Sequence, residues 1–254
     1  MTFNQTVTPH VRTNLAVLVS TGAQIWNAPS RTLLPLAFMA YYVWRRPKER
    51  ARYMAAGAST ALGCFGFVDA GLELAAQIEA SQMPRPAKIY VSAGSAGTSA
   101  GLALGLALAG VGVHLHLVSS VEPLIFNRFL YRRKMRAAWA LLRQHGIDHT
   151  ASTADELLAE AGVTYEIDYG QVGGGYGVPT EDATAAMGFG GEHELRLETT
   201  YTAKCVAAMR RAEERHPTVG PVLFWNTHGG NDLSPHIDPD WMSRCPVKLP
   251  PEGE

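Results

Sequence analysis

The stretch Ile89-Tyr90-Val91-Ser92-Ala93-Gly94-Ser95-Ala96-Gly97-Thr98-Ser99-Ala100-Gly101-Leu102 reads as a short buried strand, a loop of tiny residues, and a helix running on through Ala103 to Ala109. Such a turn leaves backbone N–H groups free at a helix N-terminus, where aligned peptide dipoles favour an anion. Gly94 and Gly97 carry no Cβ, so the chain bends sharply and a phosphate approaches closely. Ser92, Ser95, Thr98 and Ser99 offer hydroxyl donors. Two other readings stay open at this point. The same residues make an ordinary helix start capped by serine or threonine. They also stand one residue from the nucleophile elbow, with Ala93 in place of its first glycine, which would make Ser95 a nucleophile. A Walker loop is excluded, because no Gly-Lys-Ser/Thr follows, and the glycines at 94, 97 and 101 do not fit the dinucleotide spacing.

Working outward, Val111 to Val118 reads as the next strand. Strand, helix and strand at this spacing imply a right-handed βαβ crossover and a parallel sheet. His114 and His116 alternate on that strand and share a face, but with no third ligand in sight the expectation is no metal. Upstream, Tyr53-Met54-Ala55 suggests a strand, Ala56-Gly57-Ala58-Ser59-Thr60 a small-residue loop, and Gly66 to Ala80 a helix. Downstream come a helix from Pro123 to Gln144 with an arginine face (Arg128, Arg132, Arg133, Arg136), a helix from Ala154 to Ala161 and a strand from Thr164 to Tyr169. Gly170 to Pro179 contains Gly173-Gly174-Gly175-Tyr176-Gly177, a flexible loop suited to covering a site. Thr180 opens a helix with Glu181 and Asp182 in its first turn. Thr202 to Arg215 is helical, and the strand Val222-Leu223-Phe224-Trp225 empties into Asn226-Thr227-His228-Gly229-Gly230-Asn231-Asp232. Polar residues just past a parallel strand's C-terminal end are where α/β proteins place their sites.

The N-terminal part is less regular. Leu15 to Val19 is apolar, and periodicity leaves helix and strand both open. Gly22 to Trp26 suggests a strand and Thr32 to Tyr42 a helix. The charged run Arg45-Arg46-Pro47-Lys48-Glu49-Arg50-Ala51-Arg52 marks a connector. The expected division is therefore a small part over residues 1–50, a large α/β domain over 51–245, and a proline-rich, disordered tail over 246–254.

Over the whole chain of 254 residues, 46% are hydrophobic, 18% are charged, and the formal net charge is −1. That composition describes a globular core, and the charge gives no reason to expect nucleic acid as a partner. The apolar run Thr32 to Trp44 is too short for a membrane span and contains Pro35. Cys64, Cys205 and Cys245 form neither a disulfide framework nor a metal spacing, which fits a reducing cytoplasm.

Four of these stretches together resemble the fold type II pyridoxal-phosphate enzymes, in the branch of 1-aminocyclopropane-1-carboxylate deaminase and D-cysteine desulfhydrase. Ala56 to Gly63 is similar to the branch's Gly-Gly-Ser-Asn loop, and Ala93 to Leu102 to its Thr-Gly-Ser-Gly-Gly-Thr-x-Ala-Gly-Leu. Tyr176-Gly177-Val178-Pro179-Thr180 and Thr200-Tyr201-Thr202-Ala203-Lys204 are similar to Tyr-Gly-x-Pro-Thr and Val-Tyr-Thr-Gly-Lys. Phe224 to Gly230 approximates Phe-x-His-Thr-Gly-Gly, with His228 as an extra residue.

The resemblance runs from about residue 13 to 235 and implies a doubly wound parallel α/β fold with pyridoxal 5'-phosphate as cofactor. Gly94, Ser95, Ala96, Gly97 and Thr98 would hold its phosphate, and Thr227 would face the pyridine nitrogen. Tyr201 would act as acid/base over a small amino-acid substrate, with Tyr176 on the lid. Thr202, where the deaminases carry glutamate, favours the desulfhydrase side and an α,β-elimination that releases ammonia.

The branch's Schiff-base lysine lies in a Gly-Asn-Lys-x-Arg-Lys segment that has no counterpart here, and none of Lys48, Lys88, Lys134, Lys204 and Lys248 matches it. The expectation is a truncated relative, active only if the missing part comes from elsewhere, such as a separate chain; a homodimer or a complementing chain is the expected partner. The first alternative is a non-catalytic relative that binds the cofactor or phosphate or serves as a partner subunit. The second is a serine hydrolase using Ser95, Asp168 or Asp182, and His228. Labelling of Ser95 by a fluorophosphonate probe is expected of that hydrolase alone, and absence of label excludes it.

Overall fold

The computed structural model describes residues 2–3, 7–28, 30, 33–44, 54–229, 231–247 and 249. The charged connector at 45–52, the expected boundary beside it, Tyr53 and most of the expected tail lie outside the described residues. Contacts divide the chain into two units: Met54–His228, and Met1–Tyr53 together with Gly229–Glu254.

In the second of these, β1 (Thr2–Phe3) pairs in parallel with β2 (Asn27–Ala28). Between them runs α1 (Pro9–Ser20), with Thr8 accepting from the Val11 amide and Pro9 in the first turn, where its missing N–H is harmless. The open choice at Leu15 to Val19 thus resolves to helix, and residues 23–26, expected as a strand, are irregular chain ahead of β2. α2 (Leu34–Trp44) follows and leaves Leu36, Met39 and Val43 exposed. Leu15, Ala16 and Val19, on one face at helical spacing, bury themselves with Trp241 of the short α9 (Trp241–Arg244). This apolar contact is why residues from 229 onward group with the N-terminal stretch, across the linear division expected at 245.

Unit Met54–His228 begins with irregular chain at Met54 and Ala55, where a strand was expected, followed by two 3-10 turns, Ala56–Ala58 and Leu62–Cys64; Gly57, at φ +65°, turns the chain in the first. Then come α3 (Phe65–Glu79), β3 (Lys88–Ala93), α4 (Gly97–Leu108), β4 (His114–Ser119), α5 (Arg128–Gln144), α6 (Ala154–Ala161), β5 (Thr164–Asp168), α7 (Glu181–Glu192), α8 (Thr202–Arg215) and β6 (Val222–Trp225). The strands form one parallel sheet in the order β5-β4-β3-β6. Helix α5 starts five residues later than the apolar pattern suggested. Glu122 to Phe126 close a turn on the Glu122 carbonyl, and Asn127 then caps the helix by accepting from the Leu130 amide at 3.0 Å.

Alternation along β3 sorts its residues onto two buried faces. Ile89, Val91 and Ala93 join Leu115, Leu117 and the apolar faces of α3 to α6. Tyr90 faces the other way, with Val118, Cys205 and Ala208. Helices therefore cover both faces, as the doubly wound reading required. α4 is buried almost all round, and Leu102, Leu104 and Leu106 have no exposure; removing each from water is worth about 2 kcal/mol.

Helices α3 and α4 pack at backbone distance. A Cβ on Gly105 would stand 2.2 Å from the Val68 carbonyl oxygen and 3.0 Å from the Gly71 Cα. These atoms belong to the backbone and cannot swing aside. Gly105→Ala is therefore expected to destabilise by about 2–3 kcal/mol, at the upper end of overpacking costs. Gly66, in the first turn of α3, has open space around it, so Gly66→Ala should stabilise by about 0.5–1 kcal/mol through helix propensity alone. Denaturant midpoints of the two variants at unchanged m-value check the opposite signs.

Candidate functional site

The order β5-β4-β3-β6 places β3 where the winding reverses, since the chain goes from β3 to β4 on one side while β6 lies on the other. The crevice of such a sheet opens at the C-terminal ends of the strands at this point. β3 ends at Ala93, and α4 begins at Gly97 after three loop residues. Ala96 adopts φ +68°, ψ 3°, and no side chain caps the helix. The first backbone bond into the helix runs from the Ala100 amide to the Ala96 carbonyl. The amides of Gly97, Thr98 and Ser99 have no acceptor among the described residues, and they carry the positive end of the helix dipole. The ordinary serine- or threonine-capped start is not what forms, because Ser99 Oγ reaches back to the Ala96 carbonyl at 3.5 Å rather than capping an amide.

The nucleophile-elbow reading fares differently. That motif holds the serine itself in a strained backbone conformation, whereas here the left-handed residue is Ala96 and not Ser95. The proposed acids are also committed elsewhere. Asp168 accepts from the Gly170 amide at 2.6 Å and lies 3.4 Å from His116, while Asp182 accepts from Gln171 at 3.0 Å and lies 3.5 Å from Arg211.

Tight packing fixes the loop. Gly57 and Gly97 leave no room for side chains: a Cβ would come within 2.6 Å of Ser95 Oγ in the first case and 2.8 Å of Ser59 Cβ in the second. Ser59 in turn accepts from Lys134 Nζ through both its carbonyl and its hydroxyl. Burial lowers the Lys134 pKa, with the nearby Cys64 acting in the opposite sense. Ser59, Ser95, Ala96, Arg133 and Lys134 line a pocket of about 330 Å³ whose apolar wall includes Phe126 and Leu130. Sequence reasoning set Arg133 on a surface face and gave Lys134 no role. Only the spacing Leu130-x-x-Arg133-Lys134, one helical turn, hinted that both reach the same wall.

On the other side of the loop stands Tyr201, whose ring would lie 3.0 Å from a Cβ on Gly94. Its hydroxyl donates to the Tyr176 hydroxyl at 2.9 Å, and the two rings meet edge to face. Tyr201 owes its position to Glu198, a buried residue that sequence reading missed. The Glu198 carboxylate accepts from the amides of Thr200, Tyr201 and Thr202 at 2.7–2.9 Å and so closes the N-terminus of α8. A glutamate four residues ahead of Thr202, just before an apolar helix, was the available signal. Lys204, in the first turn of α8, is completely buried and donates to the Val172 carbonyl at 3.2 Å. Burial lowers its pKa, and the charges of Glu198 and Glu122 act against that. The glycine-rich loop 170–179 is thus tied to α8 at Val172. Thr227 is exposed, two residues beyond the end of β6, whose Trp225 pairs with Val91 of β3.

Of the expected site residues, Gly94 to Thr98, Tyr201 and Tyr176 come together, and Thr227 stands at the same end of the sheet. At Ala96, where the resembled branch carries glycine, the Cβ sits in the left-handed region at a cost of about 1–2 kcal/mol. Ala96→Gly should therefore leave stability unchanged or raise it by up to about 1 kcal/mol. Ala103→Gly, in the interior of the same helix, should lose at least about 1 kcal/mol. Thermal or denaturant unfolding of the pair measures the difference.

Comparison with known proteins bears on the family and the fold. Residues 5–227 match the family described as PALP, pyridoxal-phosphate dependent enzyme. The D-cysteine desulfhydrase of Klebsiella pneumoniae (strain 342) is 32% identical over 187 residues, which are 71% of this chain and 52% of that protein. The chain thus spans about half the length of that curated relative. A crystal structure of a protein described as an ACC deaminase homologue shares the fold, with a TM-score of 0.63 at 18% identity over 88% of this chain and 63% of the other. The chain belongs to the pyridoxal-phosphate dependent enzyme family of fold type II, for which pyridoxal phosphate is the cofactor implied, and it is similar to D-cysteine desulfhydrase in sequence and to the ACC deaminase homologue in fold.

Proposed function

We propose that the loop Gly94–Thr98 holds the phosphate of pyridoxal phosphate, and that the chain serves elimination from a small amino acid, of the D-cysteine type, with release of ammonia. The observation that carries this reading is the uncapped start of α4 at the switch point of the sheet. Its amides are placed to donate to a dianion without a cation in direct contact, and the hydroxyls of Ser95 and Thr98 belong to the same turn. Pyridoxal phosphate, when bound, supplies an electron sink for negative charge developing at an amino acid's α-carbon. Thr227, placed toward the pyridine nitrogen by the resemblance, offers that nitrogen a hydroxyl rather than a carboxylate, which leaves it less fully protonated. Tyr201 holds a proton on its phenol oxygen in a hydrogen bond to Tyr176. This pair is suited to deliver a proton to, or take one from, a substrate lying over Gly94. The loop 170–179, anchored by Lys204 at Val172, carries Tyr176 and is suited to exclude water. The free thiols of Cys64, Cys205 and Cys245 fit a reducing cytoplasm as the place of action.

One observation favours a second reading, a relative that binds the cofactor without turnover of its own or works with a complementing chain. Each described lysine is engaged: Lys88 with Glu213 at 3.2 Å, Lys134 with Ser59, and Lys204 with Val172. An amine must be released from one of these contacts, or supplied from elsewhere, to hold the cofactor's aldehyde covalently.

Titration of the purified chain with pyridoxal phosphate, followed by visible absorbance, tests the first step. Saturable binding that inorganic phosphate displaces is expected, and its absence overturns the assignment of the loop. Borohydride reduction with mass mapping then separates the two readings by whether one lysine is modified. With D-cysteine as substrate, Tyr201→Phe is expected to lower kcat by about 10²-fold or more while leaving the phosphate-competed binding of the cofactor unchanged.

A further inference from the structure

His114 and His116 lie on one face of β4, and Glu166 on the neighbouring β5 is the register partner of His116. The sequence suggested a histidine pair without a third ligand; parallel pairing supplies that ligand from fifty residues away. The Glu166 carboxylate oxygen Oε1 lies 3.2 Å from His114 Nε2 and 2.6 Å from His116 Nδ1. One ligand atom from each of the three residues falls within 4.8 Å of the others.

The remaining ring nitrogens are engaged. His114 Nδ1 meets the Thr164 hydroxyl at 2.9 Å, and His116 Nε2 meets Asp168 Oδ2 at 3.4 Å. These outer contacts fix which nitrogen of each ring points inward, as oxygen partners do around metal-bound imidazoles. His116 is 7% exposed, and its ring is stacked on Tyr90 at 4.5 Å between centroids. Its Nδ1 is buried and faces the Glu166 carboxylate.

We propose that His114 Nε2, His116 Nδ1 and Glu166 Oε1 bind one zinc ion, with a fourth position open to solvent. Two imidazoles and a carboxylate are donors of the borderline character zinc accepts. Bonds of about 2.0–2.2 Å in a tetrahedral array set the donors about 3.3 Å apart. The His114–Glu166 separation already meets that spacing, and the His116–Glu166 separation meets it after a shift of less than 1 Å. The Glu166 side chain is 53% exposed, so an ion has a path in from solvent. The site is separate from the phosphate cradle. His114 is the first residue of β4, while the crevice opens beyond Ser119, its last, about 16 Å along the strand. Zinc here would clamp the edge strand β5 to β4.

Isothermal titration of tag-free, chelator-stripped protein with ZnCl₂ tests the assignment, with Co²⁺ in parallel for its visible bands in a tetrahedral site. One equivalent bound, with a rise in Tm, is expected. Glu166→Gln and His114→Ala, both at partly exposed positions, should each weaken zinc by more than about tenfold and abolish the Tm rise, while circular dichroism without zinc stays unchanged. Asp168→Ala should weaken zinc by about 10–100-fold through loss of the His116 contact. Absence of stoichiometric binding overturns the proposal. So does zinc binding that both variants leave intact, which would place the ion on the thiols or on other histidines.

Discussion

Burial of β3 on both faces, between parallel neighbours on both edges, is the constraint on which the rest of the large unit depends. A strand in this position keeps no face for water, so Ile89 to Ala93 are all buried, and its backbone pairs with β4 along Lys88 to Ala93 and with β6 along Lys88 to Val91. Parallel neighbours demand crossovers, and the crossovers lay helices on both faces of the sheet. Because β4 and β6 flank β3 on opposite sides, the helix that covers the next connection starts at a crevice. The phosphate-type loop is thus a consequence of topology before it is a matter of serines and glycines.

Close packing then sets the loop's shape. Helix α4 is driven against α3 at glycine positions, with Gly105 beneath the Val68 carbonyl and Gly101 beneath that of Cys64. This holds the N-terminus of α4 in place without a side-chain cap. Uncapped amides inside a packed helix start are unfavourable unless something accepts from them, which is the role proposed for the cofactor phosphate. The aromatic wall of the site is held by different means. A buried carboxylate, Glu198, gathers three amides at the start of α8 and so fixes the ring of Tyr201 against Gly94. Two helix N-termini consequently face one crevice, one closed by the protein's own carboxylate and one left open. That asymmetry is what the proposed placement of the cofactor phosphate at α4 rests on.

The two ends of the sheet carry different chemistry. At the C-terminal ends lie the cradle, the tyrosine pair and Thr227. Near the N-terminal end of β4, histidines and a carboxylate from neighbouring strands converge beside Tyr90. The first arrangement follows from winding order and the second from strand register, and neither needs the other.

The sequence by itself determined the parallel α/β class, the strand–loop–helix at 89–109, the helix capped by Thr180, and the order of four motifs that pointed to the family. These are readable because each depends on residues close together in the chain: periodicity, capping and glycine placement are local physics. Helix or strand at Leu15 to Val19 was undecidable from so short an apolar run, and the partner that settled it, Trp241, lies more than two hundred residues on. Separation along the chain likewise hid Lys134 behind Ser59, 75 residues apart, and Glu166 beside His116, fifty residues apart; Glu198, only three residues before Tyr201, was within local reach. Strand order, register and helix packing decide which distant side chains meet, and no local pattern encodes them. Only the tertiary structure could show that α4 begins without a cap, with Ala96 in a left-handed conformation, because that geometry is imposed by the glycine contact with α3 and by the strand on the other side of the loop.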